Sequence, residues 1–337
     1  MPTLVARIAP QKSTQYAALA STLALPEWQI SPLGHILTRA ETISFGSGDY
    51  LKLELDRPLA PADRLAMGWL AMTTEFFEYH TRIGHKEGPF LYPLDVPRPV
   101  FLAQDIVFTR RYRGKTNELF TRFLLSAAYF SSDFFSTSAY PRLAILDPLC
   151  GGGTTLFQAL VYGWDVYGVE RNEKNVTTTD AFLQQYLRGQ SIRFSRRKER
   201  LRGIGRRYNF ELSIGDSRPR RCVLAQADTA HTLRILEGKK IHLVVADLPY
   251  GIQHEGVLTG VLETGLPVWA AALRSGGILA LAWESTRQPR KDMIAMIENG
   301  GKLQVLCGGP YETLAHRVDR VIKKRDVIIA KKLDEIA

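Results

Sequence analysis

The alternation of strand-like and helical segments constrains the fold of this chain most. From about residue 107 onward, short apolar runs alternate with stretches of helical pattern. Such alternation forms a mainly parallel sheet with helices on both faces, and ligands bind at the carboxyl ends of its strands. We therefore predict an α/β fold with a Rossmann-like, doubly wound sheet. Its seven strands are predicted at residues 143–146, 166–169, 222–226, 242–246, 278–283, 303–307 and 327–330.

The first 106 residues have a different pattern, which predicts a smaller α+β module. Helical spacing of apolar residues over 61–79 predicts a helix, and the proline-rich stretch 89–99 predicts a linker. We therefore divide the chain into a module of residues 1–106, a candidate for substrate recognition, and a larger domain of residues 107–337.

A glycine-rich turn follows the first predicted strand of the larger domain. It reads DPLCGGGTT from Asp147 to Thr155 and opens a predicted helix. Glycines let the backbone turn tightly and approach a ligand closely. Asp147 would repel a phosphate but attract an amino or sulfonium group, which favours S-adenosylmethionine over NAD. The candidate cofactor ligands in this loop are Asp147, Leu149, Cys150, Gly151, Gly153, Thr154 and Thr155.

Two later acidic positions extend this candidate cofactor site. Glu170, followed by Arg171, ends the second predicted strand, where an acid can accept hydrogen bonds from ribose hydroxyls. Asp228, followed by Thr229, comes after the strand at 222–226, where a carboxylate can accept from an adenine amino group. An ordinary turn acid or helix cap is the alternative reading of Asp228.

The segment Asp247-Leu248-Pro249-Tyr250-Gly251 follows the buried strand at 242–246. The Asp247 carboxylate and the Leu248 carbonyl can accept the two N–H groups of an exocyclic amine and so align its nitrogen with a methyl donor. Pro249 stiffens the turn, and Tyr250 offers a flat face on which a base can stack. These four residues, Asp247 to Tyr250, are the candidate catalytic residues.

In this order, the loop, Glu170 and the DLPYG turn resemble the class I methyltransferases that modify amino groups in nucleic acids. They are most similar to RNA methylases related to the THUMP-containing tRNA guanosine N2-methyltransferases. The resemblance implies S-adenosylmethionine at the loop and a target amine at the turn. It also implies that the start of the helix before the first strand binds the methionine end of the cofactor, at Lys115, Thr116 and Asn117.

The chain departs from that family in two ways. Its first 100 residues do not match a THUMP domain, and residues 188–221 form a long basic insertion before the Asp228 strand. The chain has a net charge of +10, and this insertion holds eleven arginines and one lysine against three acidic residues. Such a density predicts contacts with nucleic-acid phosphates. The candidate phosphate ligands are Arg193, Arg196, Arg197, Lys198, Arg200, Arg202, Arg206 and Arg207.

The most specific function predicted is methylation of guanine N2 in RNA, either tRNA or rRNA. The sequence leaves open methylation of adenine N6 or cytosine N4 in DNA or RNA, protein glutamine N5-methylation, and non-catalytic nucleic-acid binding. The three cysteines are far apart and no histidines have metal-ligand spacing, so we predict no metal. Neither a signal-peptide pattern nor a long apolar run is evident, and we expect a cytoplasmic protein without membrane contact.

Overall fold

The computed structural model describes residues 2–11, 16–112, 114–136, 141–215, 217–249, 257–318 and 323–334. These residues form two compact units. The first unit contains Met1–Arg98 and Cys307–Asp326, and the second contains Pro99–Ser136, Tyr140–Leu306 and Val327–Ala337. No helix in the described ranges is both long and apolar enough to cross a membrane.

The first unit is an α+β structure. Its helices are α1 (Leu19–Ile30) and α2 (Pro61–Met67), and a 3₁₀ turn covers Pro32–Ile36. Its strands are β1 (Thr3–Ile8), β2 (Leu37–Phe45), β3 (Gly48–Leu55), β4 (Thr73–Ile83) and β5 (Lys86–Pro93). These strands form an antiparallel sheet in the order β2-β3-β1-β4-β5. On β3 the buried side chains are Leu51, Leu53 and Leu55, an alternation typical of a sheet covered on one face.

The helix predicted over residues 61–79 is wrong beyond α2. The buried carboxylate of Glu27 accepts hydrogen bonds from the N–H groups of Ala71 and Met72 at 2.8–3.0 Å. Phe76 then packs against Trp28 with ring centroids 6.2 Å apart. These tertiary contacts favour the strand β4 over the helical spacing of the sequence. The predicted linker is also wrong in part, since β5 extends to Pro93 and pairs with β4.

The second unit contains the large sheet. Its helices are α3 (Asp105–Thr109), α4 (Glu118–Ser131), α5 (Thr154–Val161), α6 (Glu173–Gly189), α7 (Thr232–Leu236), α8 (Val257–Ala272) and α9 (Arg290–Gly301). Its strands are β6 (Ala144–Asp147), β7 (Asp165–Glu170), β8 (Arg193–Leu201), β9 (Gly205–Ser213), β10 (Arg220–Gln226), β11 (Ile241–Asp247), β12 (Leu273–Glu284), β13 (Gln304–Val305) and β14 (Arg325–Lys331). Their order is β13-β14-β12-β11-β6-β7-β10-β9-β8.

The centre of this sheet is parallel and doubly wound, as predicted. Strands β10, β7, β6, β11 and β12 run parallel to one another. The chain moves outward from β6 to β7 and β10, and then returns to the other side of β6 as β11. The order therefore reverses beside β6, and the carboxyl ends of β6, β7 and β11 surround the crevice where such sheets bind ligands.

The described part of the sheet has nine strands, although the sequence predicted seven. The two extra strands, β8 and β9, are formed by the basic insertion, which is an antiparallel hairpin added beside β10. Its apolar residues explain the addition, because Tyr208, Phe210 and Leu212 are buried on one face of β9. The arginines had concealed this alternation in the sequence.

The start of the second unit lies earlier than the predicted boundary after residue 106. The N–H groups of Phe101 and Leu102 both donate to the carbonyl of Val161 in α5, at 2.6 and 3.3 Å. Phe101 also packs over Gly163, where an added Cβ would lie 2.9 Å from the Phe101 Cβ. Residues 99–106 therefore belong with the second unit. The separation of recognition from catalysis between the two units stays a prediction.

Candidate active site

Three acidic residues end three neighbouring strands of the second unit. Asp147 ends β6, Glu170 ends β7 and Asp247 ends β11. All three line one cavity of about 310 Å³ at the carboxyl edge of the sheet. Its other lining residues are Tyr112, Gly114, Thr116, Leu149, Cys150, Gly151, Gly152, Thr154, Thr155, Arg171 and Pro249.

The glycine loop forms one wall of this cavity and depends on the absence of side chains. Gly151 and Gly153 have φ angles of +50° and +88°, which residues with a Cβ rarely adopt. Gly152 is required for a different reason, since an added Cβ would lie 2.3 Å from the ring of Tyr112. The loop is closed by a hydrogen bond of 2.7 Å from the Gly153 N–H to the Cys150 carbonyl.

Asp147 lies at the base of the loop and is 97% buried, with 3% of its surface exposed. One of its carboxylate oxygens accepts from the Leu149 N–H at 3.0 Å, and the Thr155 hydroxyl also hydrogen-bonds to it. Burial raises the pKa of Asp147 to about 7, and the nearby charges of Asp247 and Glu170 act in the same direction. A bound cation would relieve this penalty, so the cavity favours a positively charged ligand.

The remaining loop residues supply shape and backbone groups. Cys150 is buried, and burial raises the pKa of its thiol well above the usual value, so the thiol stays neutral. Its N–H donates to the Val169 carbonyl at 2.9 Å, which fixes the loop to β7. Glu170 is only half-buried, and one of its oxygens accepts from the Asn172 N–H at 2.5 Å.

A second cavity of about 300 Å³ lies beside the first and shares Leu149 and Arg171 with it. Asp228 is exposed on its wall and accepts from the Ala230 N–H at 2.9 Å. This is the helix-cap geometry that was the alternative prediction for Asp228. The capping carboxylate still lines the second cavity. The Thr229 hydroxyl accepts from the Trp269 indole N–H at 2.8 Å. The remaining lining residues are Pro148, Ala227, Gly260, Val261 and Thr264.

The helix start before β6 contributes one of its three candidate residues to the cavity. Thr116 lines it, and its hydroxyl donates to a carboxylate oxygen of Asp247 at 2.7 Å. The Lys115 ammonium instead donates to the Val107 carbonyl at 2.6 Å and pairs with Glu118. Asn117 caps α4 by accepting from the Phe120 N–H at 3.0 Å. Lys115 and Asn117 therefore hold the segment that presents Thr116.

The candidate catalytic turn begins at the carboxyl end of β11. Leu248 is fully buried, and its N–H donates to the Ala282 carbonyl at 2.8 Å, which fixes the backbone beside Asp247. Pro249 lines the first cavity. Tyr250 and Gly251 lie outside the described residues, so the stacking role of Tyr250 stays a prediction.

Tyr112 is a site residue that was not predicted from the sequence. Its ring covers Gly152, and its hydroxyl lies 2.6 Å from the Thr154 hydroxyl. Burial raises the pKa of Tyr112, so the phenol remains protonated. The one signal available in the sequence was the middle glycine of the GGG run. In the structure Gly152 has no positive φ angle, and glycine is required there because the Tyr112 ring lies so close.

The eight basic residues predicted to contact phosphates have different environments on the hairpin. Arg207 is buried and pairs with Glu199 and Glu237 at 2.5 Å each. Arg196 makes a bidentate pair with Asp180, with both distances 2.7 Å. The other six are more exposed: Arg206 pairs with Glu173, Arg197 pairs with Glu199, Lys198 lies over the Tyr208 ring, and Arg193, Arg200 and Arg202 have no ion pair among the described residues.

Within the described part of the chain, no group of three or more histidine, cysteine, aspartate or glutamate side chains has the arrangement of a metal site.

Comparison with known proteins gives a similarity of structure only. No protein-family model matches the sequence, and no curated protein matches it. TrmN from Thermus thermophilus is 12% identical with a TM-score of 0.47, over 99% of this chain and 100% of that chain. The 16S rRNA N2 G1207 methyltransferase RsmC from the same organism was solved with AdoMet and guanosine. It is 15% identical with a TM-score of 0.38, over 94% of this chain and 62% of that chain.

A TehB-like SAM-dependent methyltransferase from Corynebacterium glutamicum is also 15% identical, with a TM-score of 0.34, over 56% of this chain and 80% of that chain. At these identities, none of the three similarities assigns a function to this chain.

Proposed function

We propose that this chain is an S-adenosylmethionine-dependent methyltransferase that acts on an exocyclic amino group of a nucleic-acid base. The observation that carries this proposal is the convergence of Asp147, Glu170 and Asp247 on one cavity beside a glycine loop. S-adenosylmethionine carries positive charge on its sulfonium and ammonium groups, which suits a cavity with a buried carboxylate.

The two adjoining cavities suit the two ends of this cofactor. In the first, Asp147 attracts the cationic end and Glu170 accepts from the ribose hydroxyls. In the second, Asp228 accepts from the adenine amino group, and the apolar surface of Val261 contacts the ring. Gly151 lies beside Glu170 in this wall, and its φ angle of +50° rather than crowding by Glu170 is what favours glycine there.

The chemistry that the cofactor supplies is an activated methyl group. The chain's own contribution is to align the acceptor nitrogen. The Asp247 carboxylate and the Leu248 carbonyl accept the two N–H groups of the amine, so its lone pair points toward the methyl donor. Thr116 holds one Asp247 oxygen, and the buried Leu248 fixes the backbone. The alkylated nitrogen is acidic and loses its proton readily, so no strong general base is needed.

Guanine N2 in RNA is the substrate that the motifs favour. The support is the pairing of a DPLCGGGTT loop with a DLPYG turn, which most resembles guanosine N2-methyltransferases of RNA. Adenine N6 and cytosine N4, in RNA or DNA, share the same chemistry at the turn and are the second candidates. The exposed cations of the hairpin favour a nucleic acid over a protein glutamine as substrate.

One experiment tests both the cofactor and the substrate that this proposal assigns. Calorimetry measures binding of S-adenosylmethionine, and the tritiated cofactor is then offered with total RNA, genomic DNA or mixed protein. Digestion of the labelled polymer to nucleosides identifies the base by mass spectrometry. We expect cofactor binding and label in RNA as N2-methylguanosine. Label in protein alone would overturn the nucleic-acid assignment, and absence of cofactor binding would overturn the enzyme class.

A further inference from the structure

The β8–β9 hairpin runs along the length of the neighbouring strands. Its turn therefore lies at the carboxyl ends of β10 and β7, and its open end lies at their amino ends. Its pairing places Arg200 opposite Arg206, Arg206 opposite Gln226 of β10, and Gln226 beside Glu170 of β7. These four residues therefore form one row across four neighbouring strands, at the carboxyl edge where the candidate active site lies. Arg193 is seven residues earlier on β8, which places it roughly 24 Å away from Arg200 along the strand.

The charges along this hairpin are compensated unevenly. Arg196 is neutralised by Asp180, and Arg207, which directly follows the tip, is neutralised by Glu199 and Glu237. These ion pairs hold the hairpin to its neighbours and leave little positive charge for a partner. At the tip, Arg206 makes an exposed ion pair with Glu173, whereas Arg200 and Arg202 are exposed and have no ion pair with any described residue.

The shape of the tip also suits a polyanion. Arg200 and Arg206 flank a hollow of about 520 Å³, which Leu201, Gly203, Ile204, Gly205 and Gln226 complete. Gly205 is obligatory there, because a Cβ would lie 1.8 Å from the Gln226 carbonyl oxygen and the φ angle is +154°. Gly205 thus lets β9 pack directly against Gln226, and the hollow lies between two guanidinium groups, an arrangement suited to phosphate oxygens.

We propose that the hairpin tip, defined as Arg200 to Arg206, is the phosphate-binding part of the basic segment, and that its ligand is the backbone of an RNA whose base enters the candidate active site. The inference rests on the proposed function. It also limits the predicted phosphate ligands, since Arg196 and Arg207 stabilise the hairpin and Arg193 lies at the opposite edge.

The strand order sets the scale of this contact. Five strand spacings separate β8 from β11, a distance of roughly 24 Å. In a stacked RNA strand this corresponds to roughly seven nucleotides, given a rise of about 3.4 Å per nucleotide. The tip therefore contacts phosphates well away from the target nucleotide and adds affinity without touching the reacting base.

The test compares two double variants that each remove two positive charges. Arg200→Ala/Arg202→Ala alters the tip, and Arg188→Ala/Arg193→Ala alters the exposed opposite end as a matched control. Fluorescence anisotropy measures binding of a labelled 20-nucleotide single-stranded RNA between 50 and 200 mM salt. Thermal unfolding and calorimetric cofactor binding, both expected to be unchanged, show that each variant is folded.

We expect the tip variant to lower the slope of log K against log salt by about 1.4, because each lost contact removes about 0.7 for a single strand. Its affinity deficit relative to the parent should then shrink about sevenfold between 50 and 200 mM salt. The control variant should keep the parental slope, since charges roughly 24 Å away are screened at these salt concentrations. Equal effects in the two variants, or an unchanged slope in the tip variant, would overturn the inference.

Failure of the hairpin inference can be distinguished from failure of the proposed function. Methylation of RNA by the parent together with an unchanged tip slope would refute the hairpin inference alone. A parent that binds cofactor but neither binds nor methylates RNA would refute both.

Discussion

Under the proposed function, the raised pKa of Asp147 should make the affinity for S-adenosylmethionine depend on pH. With a pKa of about 7 in the free protein, this carboxyl group is about nine-tenths protonated at pH 6 and about nine-tenths ionised at pH 8. A cationic ligand requires the ionised form. We therefore expect the affinity to rise about tenfold from pH 6 to pH 8, which is about 1.4 kcal/mol of binding free energy.

Ionisation of Asp147 should lower the stability of the ligand-free fold, although it raises the affinity for a cationic ligand. The folded chain holds the Asp147 proton more tightly than an ordinary carboxyl group of pKa 3.8. Its stabilising contribution is complete below pH 4 and is lost as the pH rises through about 7. The largest loss is about 4 kcal/mol for a shift of about three units. Asp147→Asn should therefore stabilise the ligand-free chain at pH 8 while weakening cofactor binding there.

Calorimetry at pH 6, 7 and 8, together with thermal unfolding, checks both statements. Titration of the ligand itself is common to all variants, so the comparison of the parent with Asp147→Asn isolates the contribution of Asp147. Asp228→Asn is the matched control, since this acid is exposed in the second cavity and should leave the pH dependence intact. The reasoning fails if Asp147→Asn retains the parental pH dependence of affinity.

Four further predictions concern the same site. Glu170→Ala should weaken cofactor binding by about 1–3 kcal/mol through lost charge-assisted hydrogen bonds, whereas Glu173→Ala should not; equal calorimetric affinities would remove the ribose assignment. Gly152→Ala should displace Tyr112 and cost about 1–3 kcal/mol of unfolding free energy by overpacking. Gly189→Ala, which has open space around it, is the control for chemical denaturation, and a stable Gly152 variant would contradict the described contact. Asp247→Asn should lower kcat in single-turnover methylation with little change in RNA affinity, because alignment matters most in the transition state. Tyr250→Phe should retain most activity, whereas Tyr250→Ala should weaken base binding by about 1–3 kcal/mol; inactivity of both would mean that the hydroxyl is needed.

The parts of the fold predicted best were those with local signals. The strand ending at Asp147 was evident from a short apolar run followed by glycines, and the parallel order followed from alternation. Strand β4 was not predicted, because the contacts that favour it join Glu27 to Ala71, residues 44 positions apart. Helical spacing alone cannot report such a contact, since it describes a single segment.

The candidate site was predictable to a similar degree. Asp147, Glu170 and Asp247 were identified because each directly follows an apolar strand, and parallel strands bring their carboxyl ends together. The bond between Thr116 and Asp247 joins residues 131 positions apart, and only the folded chain reveals it. Lys115 was grouped with Thr116 by its position in sequence, although its ammonium faces Val107 and Glu118.

The position of the hairpin has a consequence for aggregation. Without it, β10 would be the last strand on its side of the sheet, with unpaired N–H and C=O groups beside the apolar run from Cys222 to Ala225. Such an edge can pair with another chain. The outermost strand is instead β8, where five of nine residues are basic and repel a second copy. Deleting the hairpin would therefore expose an apolar edge strand, and we expect the shortened chain to aggregate whether or not a substrate is present.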